Sequence, residues 1–190
     1  MHFSTPLIAL AAVLPASFAA PLVARQEATE VCTLQLNATT ETQIRRSIED
    51  TRAGWIPIKE NDYPTGVMVS MISTTTSVPN YWNVIPAANE THKLQLRQTP
   101  ALCASGAGNG SNSTLVNLVD CDSEDSLWKI TCQRCQPGFG GECQFHPASR
   151  PELCATPPGE QYGEIELVTC DEPTTPLPPA QFFSLGVFDY

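Results

Sequence analysis

The chain has 190 residues, with 20 Asp and Glu against 10 Lys and Arg, and a formal net charge of −10. That length gives room for one domain with a real core. The acidic balance and the lack of a basic patch argue against nucleic acid and anionic membrane as partners.

The first predicted element is a leader. "MHFSTPLIALAAVLPASFAA" has an apolar run, weak flanks and small residues near its end. It is too short and too Ala-rich for a membrane span, and no other segment offers one. It reads as a secretory signal over residues 1–19, cut after Ala19, with Ser17 and Ala19 as the small residues. Residues 20–25 read as a short propeptide trimmed after Arg25. The mature chain then starts at Gln26 and meets an oxidising compartment. Its eight cysteines are expected to form four disulfides with no free thiol. Four sequons fit the same address, at Asn37, Asn89, Asn109 and Asn112.

Next comes a strand that recurs. "TLQL" at 33–36, "KLQL" at 93–96 and "ECQF" at 142–145 each open a similar series. The first is followed by "GVMVSMIS" and "NYWNVI", the second by "LVNLVDC" and "SLWKIT", the third by "EIELVTC" and "QFFSLG". A repeat of this period marks a unit that cannot bury its apolar face alone. The units span 34–93, 94–142 and 143–190, in one domain over 30–190. Their Val, Leu, Ile and aromatic runs, cut by Gly, Pro, Asn and Ser, predict an all-β fold. One short helix is expected, over "TETQIRRSIEDTR" at 40–52, with Thr40 and Gln43 as a capping box. It lies in the extra residues of the first unit. Three four-stranded units closing around a pseudo-threefold axis give a β-trefoil, and closure removes exposed sheet edges. Leu34/Leu36, Leu94/Leu96 and Cys143/Phe145 are then equivalent core layers.

The triplets Asn80-Tyr81-Trp82, Ser126-Leu127-Trp128 and Gln181-Phe182-Phe183 stand in phase in the three units. With "LCAS…LVDC" and "LCAT…LVTC", they make the chain resemble the ricin B-type β-trefoils, which carry a Gln-x-Trp signature in each unit. The leader and "VARQ" resemble those of secreted fungal proteins. The family resemblance implies disulfides Cys103–Cys121 and Cys154–Cys170. The first unit lacks both partners of such a pair. It also implies a sugar-binding Asp two positions after the first cysteine of a pair. Ser105 and Thr156 stand there instead, without a charge-assisted acceptor, so the usual sugar pocket is not carried over. Trp82, Trp128 and Phe183 are expected in the core, because a large apolar ring normally goes inside.

Catalytic signals are few. His92 and His146 are the histidines outside the leader, and no Gly-x-Ser-x-Gly, His-Glu-x-x-His or phosphate loop occurs. "DSED" at 122–125 reads as a solvated turn. No enzyme activity and no cofactor are expected. Cys132-x-x-Cys135 followed by Cys143-x-x-His146 has the spacing of a zinc site, but thiols this close in an exported chain oxidise, so no metal is expected. Cys32, Cys132, Cys135 and Cys143 allow three pairings, among which sequence does not choose. In one of them Cys135–Cys143 clamps the hairpin "QPGFGGE", while Cys132 reaches Cys32.

That hairpin is the expected binding loop. Pro137, Gly138, Gly140 and Gly141 permit a tight backbone, and Phe139 is the large side chain at its tip. Phe139 either folds onto the barrel rim or serves as a hydrophobic plug. A loop already held by a disulfide loses little entropy on binding. The expected function is a secreted, monomeric, non-enzymatic effector that binds and inhibits a host extracellular protein, most concretely a papain-like cysteine protease. A lectin with a non-standard glycan pocket is the rival, and a cell-wall or structural protein the third possibility.

Overall fold

The computed structural model describes residues 32, 34–36, 41–46, 53–60, 63–71, 81–107, 114–157, 163–171 and 181–188. Within them the chain is strand after strand: β1 (Gln43–Arg46), β2 (Ala53–Glu60), β3 (Tyr63–Met71), β4 (Trp82–Pro86), β5 (Thr91–Leu96), β6 (Leu102–Ser105) and β7 (Asn117–Asp120). A single turn of 3-10 helix, Glu124–Ser126, precedes β8 (Leu127–Gln136), β9 (Phe139–Pro147), β10 (Leu153–Thr156), β11 (Gly163–Glu164), β12 (Glu166–Thr169) and β13 (Phe183–Gly186).

Pairing follows from two-residue alternation, which sends every second side chain to the same side. Trp82 and Val84 of β4, Leu94 and Leu96 of β5, and Trp128, Ile130 and Cys132 of β8 are buried in this way. The antiparallel ladders run β1–β13, β13–β9, β9–β8, β8–β5 and β5–β4. A bridge between Thr42 and Trp82, with two backbone hydrogen bonds of 3.1 and 2.8 Å, returns β4 to the start of β1. The ring is therefore closed and has no edge to template aggregation.

Of the remaining strands, six pair as β2–β3, β6–β7 and β10–β12, and β11 pairs with β3. Three residues 49 apart in the chain join them. Val67 N–H donates to Val116 O (3.1 Å), Val116 N–H to Ile165 O (2.8 Å), and Ile165 N–H back to Val67 O (3.1 Å). All three side chains are buried.

The core is aromatic and centred on Trp55, which comes from β2. Its ring lies 6.3 Å from Trp82, 6.1 Å from Trp128, 5.1 Å from Phe145 and 5.4 Å from Phe183. Three of these four contacts are edge-to-face, the arrangement ring quadrupoles favour. Trp82 Nε1–H donates to Trp55 O (3.1 Å) and Trp128 Nε1–H to Ala104 O (2.8 Å), so both indoles are buried with their donor satisfied.

Several expectations need correction. The segment expected to be helical holds strand β1, which pairs over four residues with β13. The capping-box residue Thr40 and residues 47–52 lie outside the described residues. A local helix signal loses here because Ile44 reaches the core only from an extended chain in this ladder. Leu34–Leu36 belong to no strand, so "TLQL" is not the equivalent of "KLQL" and "ECQF". Leu34 and Leu36 still pack against the core from outside the sheet. The expected boundaries at 93/94 and 142/143 fall inside β5 and β9.

Candidate functional site

The four open cysteines are paired by cross-strand register. Cys132 on β8 lies directly opposite Cys143 on β9, and the two are bonded with Cα atoms 4.0 Å apart. Cys135 is three residues further along β8 and stands opposite Gly140. It is bonded to Cys32, across 103 residues of chain, with Cα atoms 5.9 Å apart. The Cys135–Cys143 clamp is therefore corrected, since Cys143 stands opposite Cys132 and is bonded to it, while Cys135 stands opposite Gly140. Cys103–Cys121 and Cys154–Cys170 complete the set, and no cysteine is free.

These two staples surround the hairpin that the sequence singles out. Its turn is tighter than expected. Gln136 pairs with Phe139, leaving only Pro137 and Gly138 between the strands. Gly138 has φ 78°, and proline followed by a left-handed glycine is the order of a type II turn. Gly138 N–H also donates to Gln35 O (3.0 Å) from the N-terminal segment. Gly140 and Gly141 are strand residues. A Cβ at Gly140 would lie 2.6 Å from Leu34 and 3.0–3.1 Å from the Cys143 and Cys132 sulfurs, so glycine there lets the staple and Leu34 close on the backbone.

Phe139 does not stand alone at a tip. It is half-buried, with Gly186 as its cross-strand partner, and meets Phe188 edge-to-face at 6.2 Å. The Arg45 guanidinium lies 4.1 Å over the Phe188 ring, a cation–π contact. It is aimed by two hydrogen bonds that it donates to Gln43 Oε1 (2.9 and 2.7 Å). Gln43, Gly186 and Phe139 form one row across β1, β13 and β9. Val187 beside them is 58% exposed. The result is an aromatic and arginine patch built from three distant parts of the chain. Arg45, Val187 and Phe188 were missed in the sequence, where only the Gly-rich turn gave a signal.

The other expected positions separate. Trp82, Trp128 and Phe183 are fully buried. Ser126 and Gln181, the polar first members of two degenerate triplets, both bind backbone next to the second cysteine of a disulfide. Ser126 Oγ donates to Cys121 O (3.1 Å), while Gln181 spans Cys170 by donating to Thr169 O (3.0 Å) and accepting from Asp171 N–H (2.7 Å). Asn80 lies outside the described residues. Ser105 is buried and its Oγ accepts from Ala107 N–H (3.1 Å), and Thr156 Oγ1 donates to Cys154 O (3.2 Å). Both hydroxyls are engaged locally. In "DSED" the side chains of Asp122, Glu124 and Asp125 are exposed around the 3-10 turn. Asn89 is exposed, with Asn37, Asn109 and Asn112 outside the described residues.

The two histidines are apart. His92 lines a cleft of about 470 Å³ with Leu34, Pro86, Lys129, Ile130 and Thr131, a volume in the range of small-ligand sites. Its Nδ1 is sealed from solvent with no hydrogen-bond partner among the described residues, and burial pushes its pKa below the usual value. His146 is also pushed down, first by burial, against a hydrogen bond to Pro151 O that raises it. It does not join Cys132, Cys135 and Cys143, so the zinc-like spacing in the sequence brings no four-ligand set together. Instead it lies against Cys154–Cys170, with Nδ1 3.3 Å from Cys170 Sγ and 3.5 Å from Cys154 Sγ.

No family model matches the chain, and no curated protein does. Solved structures do. A mosquitocidal holotoxin matches over 80% of this chain and 17% of its own, at 16% identity and a TM-score of 0.59. Cry35Ab1 matches over 79% of this chain and 36% of its own, at 12% identity and a TM-score of 0.53. The designed threefold-symmetric protein ThreeFoil matches over 78% of this chain and 97% of its own, at 11% identity and a TM-score of 0.52. This chain thus spans about a sixth of the length of the holotoxin. Identities this low speak for the fold alone. No helix among the described residues is long and apolar enough to cross a membrane. With its strands, its closed ring and these neighbours, the chain has an all-β, β-trefoil-like fold held by four disulfides.

Proposed function

We propose that the protein is a secreted, monomeric, non-enzymatic effector that binds and inhibits an extracellular host protein, with a papain-like cysteine protease as the target. The observation that carries this reading is the patch of Phe139, Val187, Phe188 and Arg45 beside the doubly stapled hairpin. Aromatic and arginine side chains dominate binding hot spots. Here Phe139 sits on a hairpin bracketed by two disulfides, and Arg45, Val187 and Phe188 come from β1 and the end of β13, which are hydrogen-bonded beside it, so binding costs less further entropy. The binding loop of the sequence reading is thereby widened, with Pro137–Gly141 as one wall and the end of β13 as the other.

For the fold, the proposal is a ricin B-type trefoil of three pseudo-symmetric units, from a fungal source. Supporting it are the cyclic hydrogen bonds of Val67, Val116 and Ile165, the matching indole bonds of Trp82 and Trp128, and the shared task of Ser126 and Gln181. The lectin reading has weaker support, since Ser105 and Thr156 spend their hydroxyls on neighbouring backbone.

Inhibition of a cysteine-protease panel tests the reading, with glycan binding measured in parallel. Val187→Asp adds a charge at an exposed position without touching the core, and Phe188→Ala removes a hot-spot ring. Each should weaken inhibition by roughly 30-fold or more, the scale of a 2 kcal/mol hot spot. Micromolar binding to simple sugars without protease inhibition would hand the function to the lectin reading. A chain active in neither assay would leave the cell-wall role standing.

A further inference from the structure

We infer that His146, Cys154 and Cys170 form a redox-gated site for a soft divalent cation of the zinc class. Among the described residues this is the one group of His, Cys, Asp or Glu in which three ligand atoms come within 4.8 Å of one another. In the structure the two sulfurs are bonded to each other, so the site is closed. Its geometry is nonetheless close to a metal site. Tetrahedral zinc with Zn–N near 2.0 Å and Zn–S near 2.3 Å puts nitrogen and sulfur ligands about 3.6 Å apart. The observed Nδ1–Sγ distances of 3.3 and 3.5 Å are already of that size. The two sulfurs need to part, to about 3.8 Å in the same tetrahedral geometry, and the Pro151 carbonyl has to turn away from Nδ1. Their backbones sit on the paired strand β10 and directly after its partner β12, with Cα atoms 4.9 Å apart.

The imidazole is held ready to serve. Nδ1 lies 3.1 Å from Pro151 O and therefore carries the proton, while Nε2 accepts from Thr131 Oγ1 at 3.2 Å. Metal binding requires Nδ1 to be bare. The proton then resides on Nε2, and the Thr131 hydroxyl, which can accept as well as donate, keeps its bond with roles reversed. Pro151 is exposed, so its carbonyl is left to water. Opening the site needs an external dithiol. The Cys154–Cys170 bond breaks, the dithiol's own sulfurs bond to each other, and its two protons and two electrons end on the cysteines. The cation then displaces those two protons and is held by two thiolates and one imidazole. A fourth position remains for water. Cys170 is half-exposed, which gives the dithiol a sulfur to attack.

The test uses the folded full chain, graded dithiothreitol, and Zn²⁺ or Co²⁺ as the probe. Alkylation and peptide mapping then read which thiols the metal protects. The expected result is protection of Cys154 and Cys170 by zinc and a thiolate-to-cobalt charge-transfer band with Co²⁺. His146→Ala should weaken metal binding by about tenfold or more. A Cys103→Ser/Cys121→Ser variant should bind as wild type, because it removes a different disulfide of similar span and leaves the site whole. Protection that falls elsewhere, or undiminished binding by His146→Ala, overturns the site. So does loss of the near-UV tryptophan signal before Cys154–Cys170 opens, since the gate would then be global unfolding.

Discussion

Two hairpins of this protein solve the same problem differently. The β8–β9 hairpin turns through Pro137–Gly138, with glycine at the residue that needs positive φ. The β4–β5 hairpin turns through Asn89 and Glu90, at φ 55° and 58°, a pair of left-handed residues as in a type I′ turn. Asparagine suits that place, but glutamate does not, because its Cβ crowds the following carbonyl. Disulfides bracket the first hairpin and none touches the second. Even the stapled hairpin carries one strained residue, Glu142 at φ 52°, beside Cys143 and ion-paired with Arg134 at 2.7 Å. The difference teaches that covalent order and relaxed turn chemistry are concentrated where the aromatic patch is presented, while the turn bearing the Asn89 sequon and bordering the His92 cleft keeps its strain.

The largest expected effect breaks the stapled side of that comparison. Replacing Cys32 and Cys135 by serine opens a loop of 103 residues. In the chain-entropy picture this costs about 4.7 kcal/mol, against about 3 kcal/mol for the short Cys132–Cys143 loop. Urea denaturation of the two double variants should reproduce that order. Equal losses would mean that strain or residual structure, and not loop closure, sets the contribution of each bond.

A smaller effect sharpens the contrast between the turns, and its sign reverses from one to the other. Gly138→Ala should destabilise by about 1–2 kcal/mol, the cost of an L-residue in the left-handed region. A Cβ there meets nothing within 4 Å, so the cost is backbone conformation alone. Glu90→Gly should stabilise by about 1 kcal/mol for the same reason. Thermal melts of the two variants moving in the same direction would remove the distinction drawn between the hairpins.

The smallest effect is on the pH profile near the second hairpin. His92 has its pKa pushed down by burial from the ordinary 6.5. The unfolded chain therefore binds a proton first. Stability associated with this group is complete above about pH 6.5 and is lost as pH falls through the lower folded value. His92→Gln should flatten that part of the acid limb. His146 is shifted in the same direction and would leave a residual slope. An unchanged profile in His92→Gln would show that the ring is hydrated in solution.

Much of this architecture could be read from residues alone. Alternation in "KLQL" and "LWKIT" is a two-residue signal that burial enforces, and these segments lie in β5 and β8. The aromatic positions Trp82, Trp128 and Phe183 declared themselves by size and phase, because a large apolar ring normally goes inside. Trp55 and the strand character of Gln43–Arg46 did not, since neither carries a local pattern stronger than a helix cap or a proline-interrupted run.

By itself, then, the sequence determined an all-β chain with an even set of cysteines and a glycine-rich turn within Pro137–Gly141, because these depend on residue type and near-neighbour spacing. Tertiary structure decided the rest. The register of the β8–β9 ladder placed Cys143 opposite Cys132 and left Cys135, opposite Gly140, to bond Cys32. Ring closure brought Arg45, Phe139 and Phe188 together from the first, ninth and last strands or their ends. The β9–β10 turn laid His146 against a disulfide whose cysteines follow it by 8 and 24 residues. Each of these is a contact between elements, and only the closed sheet sets which faces of which elements meet.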